Sequence, residues 1–257
     1  MSGVAERREA GHLQTVARAV LRPIVRLGWR IDVQGLEHIP ARGPAILCPN
    51  HISVLDSFFV PAMLPRRITY VGKAEYLDDW KTRWLFPALG MIPIDRTGGD
   101  AAQAALDLAA RVLEREELFG IYPEGTRSRD GLLHKGRTGA ARLAVRTGAP
   151  IIPVGIRGTD AVLPPDRRLP RPLRRVGIAF GAPIDPARHV GRQNDRLLLR
   201  HITDEVMFEI RTLSGQMYTN TYAATGGPSI SGPNDPAAAE TEARFSADLM
   251  LVTPLSG

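Results

Sequence analysis

Pro44-Ala45-Ile46-Leu47-Cys48-Pro49-Asn50-His51-Ile52-Ser53-Val54-Leu55-Asp56-Ser57-Phe58-Phe59-Val60-Pro61-Ala62-Met63-Leu64 is the stretch on which the fold turns. A short apolar run at 44–48 reads as a buried strand and stops at a proline. A polar turn follows, and a helix is expected over 54–64. The same alternation recurs on both sides. Strands are expected at 31–34, 68–72, 91–94, 118–122, 151–156 and 176–180, and helices at 100–117, 137–147, 194–213 and part of 75–89. Such alternation predicts an α/β fold, a single domain with a mixed, partly parallel sheet flanked by helices.

The chain has 257 residues and a 44% apolar, 23% charged composition, enough for a sizeable core and unlike a disordered or fibrous protein. Its longest apolar candidate, 85–94, is about half the length a spanning helix needs and holds Pro87, Gly90 and Pro93. The first ten residues are polar and charged, unlike a cleavable signal peptide. A lone cysteine, Cys48, excludes an internal disulfide framework and a thiolate zinc cluster.

The net charge is +6. The last 35 residues carry Asp235, Glu240, Glu242 and Asp248 against Arg244, so residues 1–222 hold +9. An arginine-rich basic body suits an anionic partner. Arg18, Arg22, Arg26 and Arg30 recur every fourth residue along an expected helix at 13–30, which Pro23 is expected to kink or divide. Leu13, Val16, Val20, Ile24 and Leu27 fall on the opposite side, with Trp29 near one end. That pattern fits a helix lying in a membrane interface, and equally a helix packed on the protein's own core. Three segments are therefore expected: an amphipathic helical membrane-binding segment at 1–30, a catalytic domain at 31–222 and a disordered acidic tail at 223–257, rich in Gly, Pro, Ser and Ala.

Four short segments carry chemistry. In the first, residues five apart on a regular helix cannot face each other, so a His51–Asp56 pair needs His51 just outside the helix and Asp56 in its first turns. Asp56 would then hold one imidazole nitrogen and leave the other as a general base; a capping histidine beside an incidental aspartate is the plainer alternative. The second is Tyr122-Pro123-Glu124-Gly125-Thr126-Arg127-Ser128, where glycine permits close backbone approach and Arg127 can fork onto a phosphate, or a charged surface turn and no more. The third is Gly90-Met91-Ile92-Pro93-Ile94-Asp95-Arg96, with an arginine at a strand end. The fourth is Pro150-Ile151-Ile152-Pro153-Val154-Gly155, which in isolation says only that a buried strand lies near an edge or bulge. The arginine-rich stretch 157–175 adds a net +4.

Taken together and in this order, the four segments resemble the 1-acyl-sn-glycerol-3-phosphate (lysophosphatidic acid) acyltransferase family over about 31–212. Thr203-Asp204-Glu205-Val206-Met207 and Gly72-Lys73-Ala74-Glu75-Tyr76 look similar to its bacterial, actinobacterial-type branch. The resemblance implies His51 as general base and Asp56 as its orienting partner. It implies Arg96 and Arg127 on the glycerol phosphate, Glu124 and Gly125 shaping that site, Pro153 near the acyl-donor pocket and Lys73 as a further phosphate contact. His51 is expected in a cleft lined by Arg96 and Arg127. The implied reaction moves a fatty acyl group from acyl-CoA or acyl-carrier protein to the free hydroxyl of lysophosphatidic acid, giving phosphatidic acid, with no acyl-enzyme, no metal and no prosthetic group. The implied setting is an anionic membrane surface, at the cytoplasmic face, with the protein peripheral or monotopic and no nucleic-acid partner. Another acceptor (glycerol-3-phosphate, another lysophospholipid or a glycolipid) would satisfy the same motifs, and a non-catalytic lipid-binding module is the rival from another class.

Other signals lead elsewhere. Gly131-Leu132-Leu133-His134-Lys135-Gly136-Arg137-Thr138 nearly spells a phosphate-binding loop, but arginine replaces the needed lysine and no apolar strand precedes it. Cys48 closes an apolar strand, where cysteine packs as a small apolar residue rather than acting as a nucleophile.

Overall fold

A computed structural model describes residues 12–73, 90–94, 101–164, 167 and 169–224. The expected helix within 75–89, the membrane segment's first eleven residues, Asp95, Arg96 and the acidic tail from 225 onward lie outside them. Helix α1 (His12–Gly28) leads into β1 (Arg30–Gln34), then β2 (Ala45–Pro49), α2 (Asp56–Met63), β3 (Ile68–Lys73) and β4 (Met91–Ile94). There follow α3 (Ala101–Glu114), β5 (Leu118–Gly120), α4 (Gly139–Thr147), β6 (Ile151–Arg157), the single turn α5 (Thr159–Val162), β7 (Arg175–Phe180) and α6 (Arg196–Ser214).

Among the described residues the strands form one seven-stranded sheet in the order β1-β7-β6-β2-β5-β3-β4. Every neighbouring pair is parallel except β6 with β7, so the sheet is mixed and mostly parallel, as the alternation predicted. The central strand β2 is buried at all five positions. Its side chains alternate between two apolar layers: Ile46 and Cys48 face α3, α4 and α6, while Leu47 packs with Phe59 and Met63 of α2 and Val25 of α1. A strand covered on both faces must be apolar without alternation, which is why 44–48 was legible as continuous apolar sequence.

Parallel pairing sends the C-terminal ends of β2, β3, β4, β5 and β6 to the same edge of the sheet. The turns after β2, β5 and β6 therefore meet there, the usual place for a site in a sheet of this kind.

Two expectations are corrected. Pro23 does not divide α1, which runs on through it. Pro23 and Ala19 are both exposed, so the carbonyl that loses its helical donor can reach water. The arginine stripe does not stay on one open face. Arg18 turns inward and donates to Pro61 O at 3.0 Å and to Leu64 O, capping the last carbonyls of α2 where a cation is favoured. Pro153 is on an interior strand, with β2 on one side and β7 on the other, and lies at a bulge, one of the two settings expected for it: Val154 pairs with Phe180 and Ile151 with Ile184, so two residues of β6 oppose three. Gly181 N–H donates to Pro153 O at 2.8 Å, and the return bond is the one proline cannot give. The regular β6–β7 ladder runs from Val154 opposite Phe180, and antiparallel pairing resumes beyond the bulge at Ile151 opposite Ile184.

Trp29, near one end of the expected helix, is half-buried. Its indole donates to Arg171 O at 2.7 Å and its ring packs edge-on against Phe59 at 5.3 Å. The apolar stripe on the other side of α1 stays open: Val16, Val20, Ile24 and Leu27 are 59%, 57%, 54% and 82% exposed.

Candidate active site

β2 ends at Pro49, and the chain turns over 50–55 before α2 begins at Asp56. The turn is built by the Asp56 carboxylate. Asp56 Oδ2 accepts from Ile52 N–H, from Ser53 N–H and from His51 Nδ1, each at 2.9 Å. A carboxylate at the first helical position suits the helix N-terminus, and here it also folds the preceding turn back onto itself. Asp56 is fully buried. Its other oxygen accepts from Thr159 Oγ1 at 2.5 Å, a residue from the turn after β6.

An ionised acceptor on Nδ1 fixes the proton there and leaves the Nε2 lone pair free. The imidazole is 15% exposed and stacks on Tyr122, with ring centroids 3.9 Å apart and planes 18° apart. Tyr122 is held by a hydrogen bond between its hydroxyl and Ser57 Oγ at 3.0 Å. Sequence pattern singles out neither Tyr122 nor Thr159 for a role: Tyr122 lies within the 122–128 segment, and Thr159, 103 residues from Asp56, has no local signal.

The turn after β5 brings in Glu124, also fully buried. Its two oxygens accept backbone N–H groups from two different segments, His51 at 3.2 Å and His134 at 2.9 Å. Burial pushes the Glu124 carboxyl up to about 7, against the pull of those two donors. Glu124 therefore ties the His51 turn to the loop rather than projecting into open space. Gly125 has φ +78°, and a Cβ there would stand 3.0 Å from Arg137 Nε, so glycine answers both backbone shape and crowding. Arg127 is exposed on the same loop, and its neighbour Ser128 donates to His51 O at 2.7 Å.

The structure thus brings His51, Asp56, Glu124, Gly125 and the Arg127 backbone into one contiguous cluster. Lys73 ends β3 at the same sheet edge. Pro153 is set back from the cluster, buried in β6 opposite Cys48 of β2. Arg96 lies outside the described residues. Burial pushes the Cys48 thiol far above its usual range, so it supplies no thiolate. Among the described residues, no three His, Cys, Asp or Glu side chains converge in a way that could hold a metal ion.

The arrangement presents an oriented imidazole at the rim of a sheet, beside a glycine loop that carries an arginine. Comparison with known proteins bears on the family. The sequence profile of a family described as acyltransferase matches residues 30–157. A 1-acyl-sn-glycerol-3-phosphate acyltransferase from Limnanthes douglasii is 38% identical over 140 residues, covering 51% of this chain and 47% of the relative. The alpha form from Mus musculus is 34% identical over 128 residues, covering 49% of this chain and 45% of the relative. The matches thus span less than half the length of these relatives. The crystal structure of the 1-acyl-sn-glycerophosphate acyltransferase from Thermotoga maritima superposes with a TM-score of 0.61 and 24% identity over 79% of each chain, a likeness of fold. With its His-Asp turn and glutamate-glycine loop inside the matched span, the chain belongs to the acyltransferase family.

Proposed function

We propose that this protein transfers a fatty acyl group from an acyl thioester, acyl-CoA or acyl-carrier protein, to the free hydroxyl of 1-acyl-sn-glycerol-3-phosphate, forming phosphatidic acid. The observation that carries the reading is the Nδ1 bond from His51 to the buried Asp56, because binding alone needs no oriented base. His51 Nε2 takes the hydroxyl proton as that oxygen attacks the thioester carbonyl. Collapse of the tetrahedral intermediate breaks the C–S bond, and the imidazolium returns the proton to the departing thiolate. An oriented base of this kind is worth about 10²–10⁴-fold. Asp56 stabilises the imidazolium while it exists, and the stacked Tyr122 ring offers it a π face.

Arg127 and Arg96 are assigned to the acceptor's phosphate, which supplies binding energy remote from the reacting hydroxyl. Lys73 is assigned to the same anion. Gly125 and Glu124 set the loop's shape; Glu124 does so through the His51 and His134 amides. Pro153, behind the cluster, is assigned to the wall of the acyl-donor pocket. No metal or prosthetic group enters this scheme.

The open stripe of Val16, Val20, Ile24 and Leu27 on α1 supports docking on a membrane surface, with Arg22 and Arg26 at headgroup level. Among the described residues no helix is long and apolar enough to cross a membrane.

The test is thiol release from palmitoyl-CoA in the presence of vesicles carrying 1-acyl-glycerol-3-phosphate, with glycerol-3-phosphate and lysophosphatidylcholine as rival acceptors. Release that requires the lysophosphatidate and disappears in His51→Ala supports the proposal. Release with another acceptor alone moves the substrate assignment. Undiminished release in His51→Ala sinks the mechanism.

A further inference from the structure

We infer that Gln216 is a positioning residue for His51: its amide ties the His51 turn to the loop that carries Glu124 and Arg127. The inference rests on the acyl-transfer reading above for its kinetic consequences, though not for its geometry.

Asn50, immediately before His51, is fully buried and uses its whole amide. Oδ1 accepts from Ile156 N–H at 2.7 Å; Nδ2 donates to Ile156 O at 2.9 Å and to Gln216 Oε1 at 2.7 Å. The Asn50 side chain thereby continues the β2–β6 pairing beyond Pro49, and its last proton is reserved for Gln216. Gln216 in turn donates from Nε2 to Gly131 O at 2.9 Å. One side-chain amide thus bridges two segments that otherwise meet through the bond from His51 N–H to Glu124 and the bond from Ser128 N–H to His51 O.

The bridge is itself held firmly. Gly215, with φ +71°, closes α6 by donating to Arg211 O at 2.8 Å, which fixes where residue 216 begins. Beyond it, residues 217–221 pair with the loop: Leu133 N–H donates to Met217 O at 2.8 Å, Thr219 N–H to Leu133 O at 2.9 Å and Lys135 N–H to Thr221 O at 2.9 Å. Those pairings flank His134, whose N–H feeds Glu124. Backbone pairing holds the loop onto the strap, and Gln216 holds the strap onto the His51 turn. Its loss leaves Asn50 Nδ2 and Gly131 O each without one partner and lets the base drift relative to the acceptor loop. Small displacements of a base cost rate steeply.

Two variants of the full-length protein test this. Gln216→Met keeps length and loses both bonds; Gln216→Glu keeps an acceptor for Asn50 and loses the donor to Gly131. The expected result is a fall in kcat of about tenfold for Gln216→Met, with KM for palmitoyl-CoA within about twofold and the melting temperature lower by only a few degrees, as two half-exposed hydrogen bonds imply. Gln216→Glu should recover part of the lost kcat. Hydrogen exchange gives a readout independent of activity. The His51 and Ser128 amides should exchange about tenfold faster in Gln216→Met, while the amides of β6 and the middle of α6 stay unchanged. A kcat within twofold of the parent overturns the inference, and so does exchange at His51 and Ser128 that does not move or moves only with the whole domain. If the parent itself transfers no acyl group, the functional reading fails, and the exchange result alone decides the role of Gln216.

Discussion

Replacing Asp56 by asparagine removes a charge from the site while leaving its shape, and the structure fixes how the amide must lie. Asp56 Oδ2 faces three donors, His51 Nδ1 and the N–H groups of Ile52 and Ser53, whereas Oδ1 faces only the Thr159 hydroxyl. The amide oxygen must take the three-donor side. The reverse orientation would set an NH2 group against two buried backbone N–H groups, each costing roughly 1–3 kcal/mol unsatisfied. The NH2 group then points at Thr159, whose hydroxyl rotates from donor to acceptor. His51 keeps its proton on Nδ1, and Nε2 stays a base.

What is lost is the difference between a carboxylate and an amide beside the forming imidazolium. A hydrogen bond to a charged group is worth about 1.5–3 kcal/mol, so the rate should fall roughly 10- to 150-fold. It should not fall by about 10⁴, the scale reached when a substituted triad holds its histidine in the wrong tautomer. The assay is thiol release from palmitoyl-CoA with the accepted lysophospholipid, run beside a thermal melt. Asp56→Ala is the contrasting variant: it takes the acceptor from His51 Nδ1, Ile52 N–H, the buried Ser53 N–H and the Thr159 hydroxyl, and should lose stability as well as activity. Retention of a third or more of the parental rate in folded Asp56→Asn would refute the electrostatic role. A loss beyond about 10⁴ would refute the amide orientation argued here.

Glu124 sets a pH dependence of stability. Its carboxyl is raised to about 7 from an unfolded value of 4.5, so between those values the folded state binds the extra proton and the group's contribution declines as pH rises through 7. In urea titrations, the parent should lose up to roughly 3 kcal/mol relative to Glu124→Gln between pH 4.5 and 8; parallel curves would dismiss the assignment. Cys48 should stay unmodified by iodoacetamide in the native protein, and Cys48→Ala should keep most of the activity, since the buried thiol has no thiolate to offer. Covalent labelling of native Cys48 accompanied by loss of turnover would contradict that. Gly155→Ala would put a methyl group 2.4 Å from Leu213 Cβ and 2.7 Å from Ser214 N. Overpacking there should cost about 1–3 kcal/mol, several degrees of melting temperature, and push the end of α6 and Gln216 out of place. An unchanged melt would show that α6 yields freely.

Which parts of this site could be read in the sequence follows from how far apart their partners lie. His51 and Asp56 are five residues apart, and local geometry alone demanded that one sit before the helix and the other at its start. The buried strands were legible because a strand covered on both faces must be apolar throughout, as β2 is. Thr159 and Gln216 were not legible: they reach Asp56 and Asn50 across 103 and 166 residues of chain, and neither residue type stands out in its own neighbourhood. The arginine stripe of α1 could be counted but not aimed. Packing of Val25 and Leu21 against the core set the helix's rotation, and that rotation turned Arg18 toward the end of α2 and left Val20 and Ile24 in the open.

Pro153 was legible for a local reason: proline cannot donate to a ladder and is confined to sheet edges and bulges. At the bulge between the Val154–Phe180 and Ile151–Ile184 pairs only one bond is forfeited, and Gly181 supplies the other. The local residues therefore specify the His51–Asp56 pair, whereas bonds from β6 and from the segment after α6 hold that pair against the loop that carries Glu124 and Arg127. Variants at Asp56 and at Gln216 should accordingly fail differently. The first weakens the imidazolium and, when truncated, the fold. The second leaves the base intact and misplaces it.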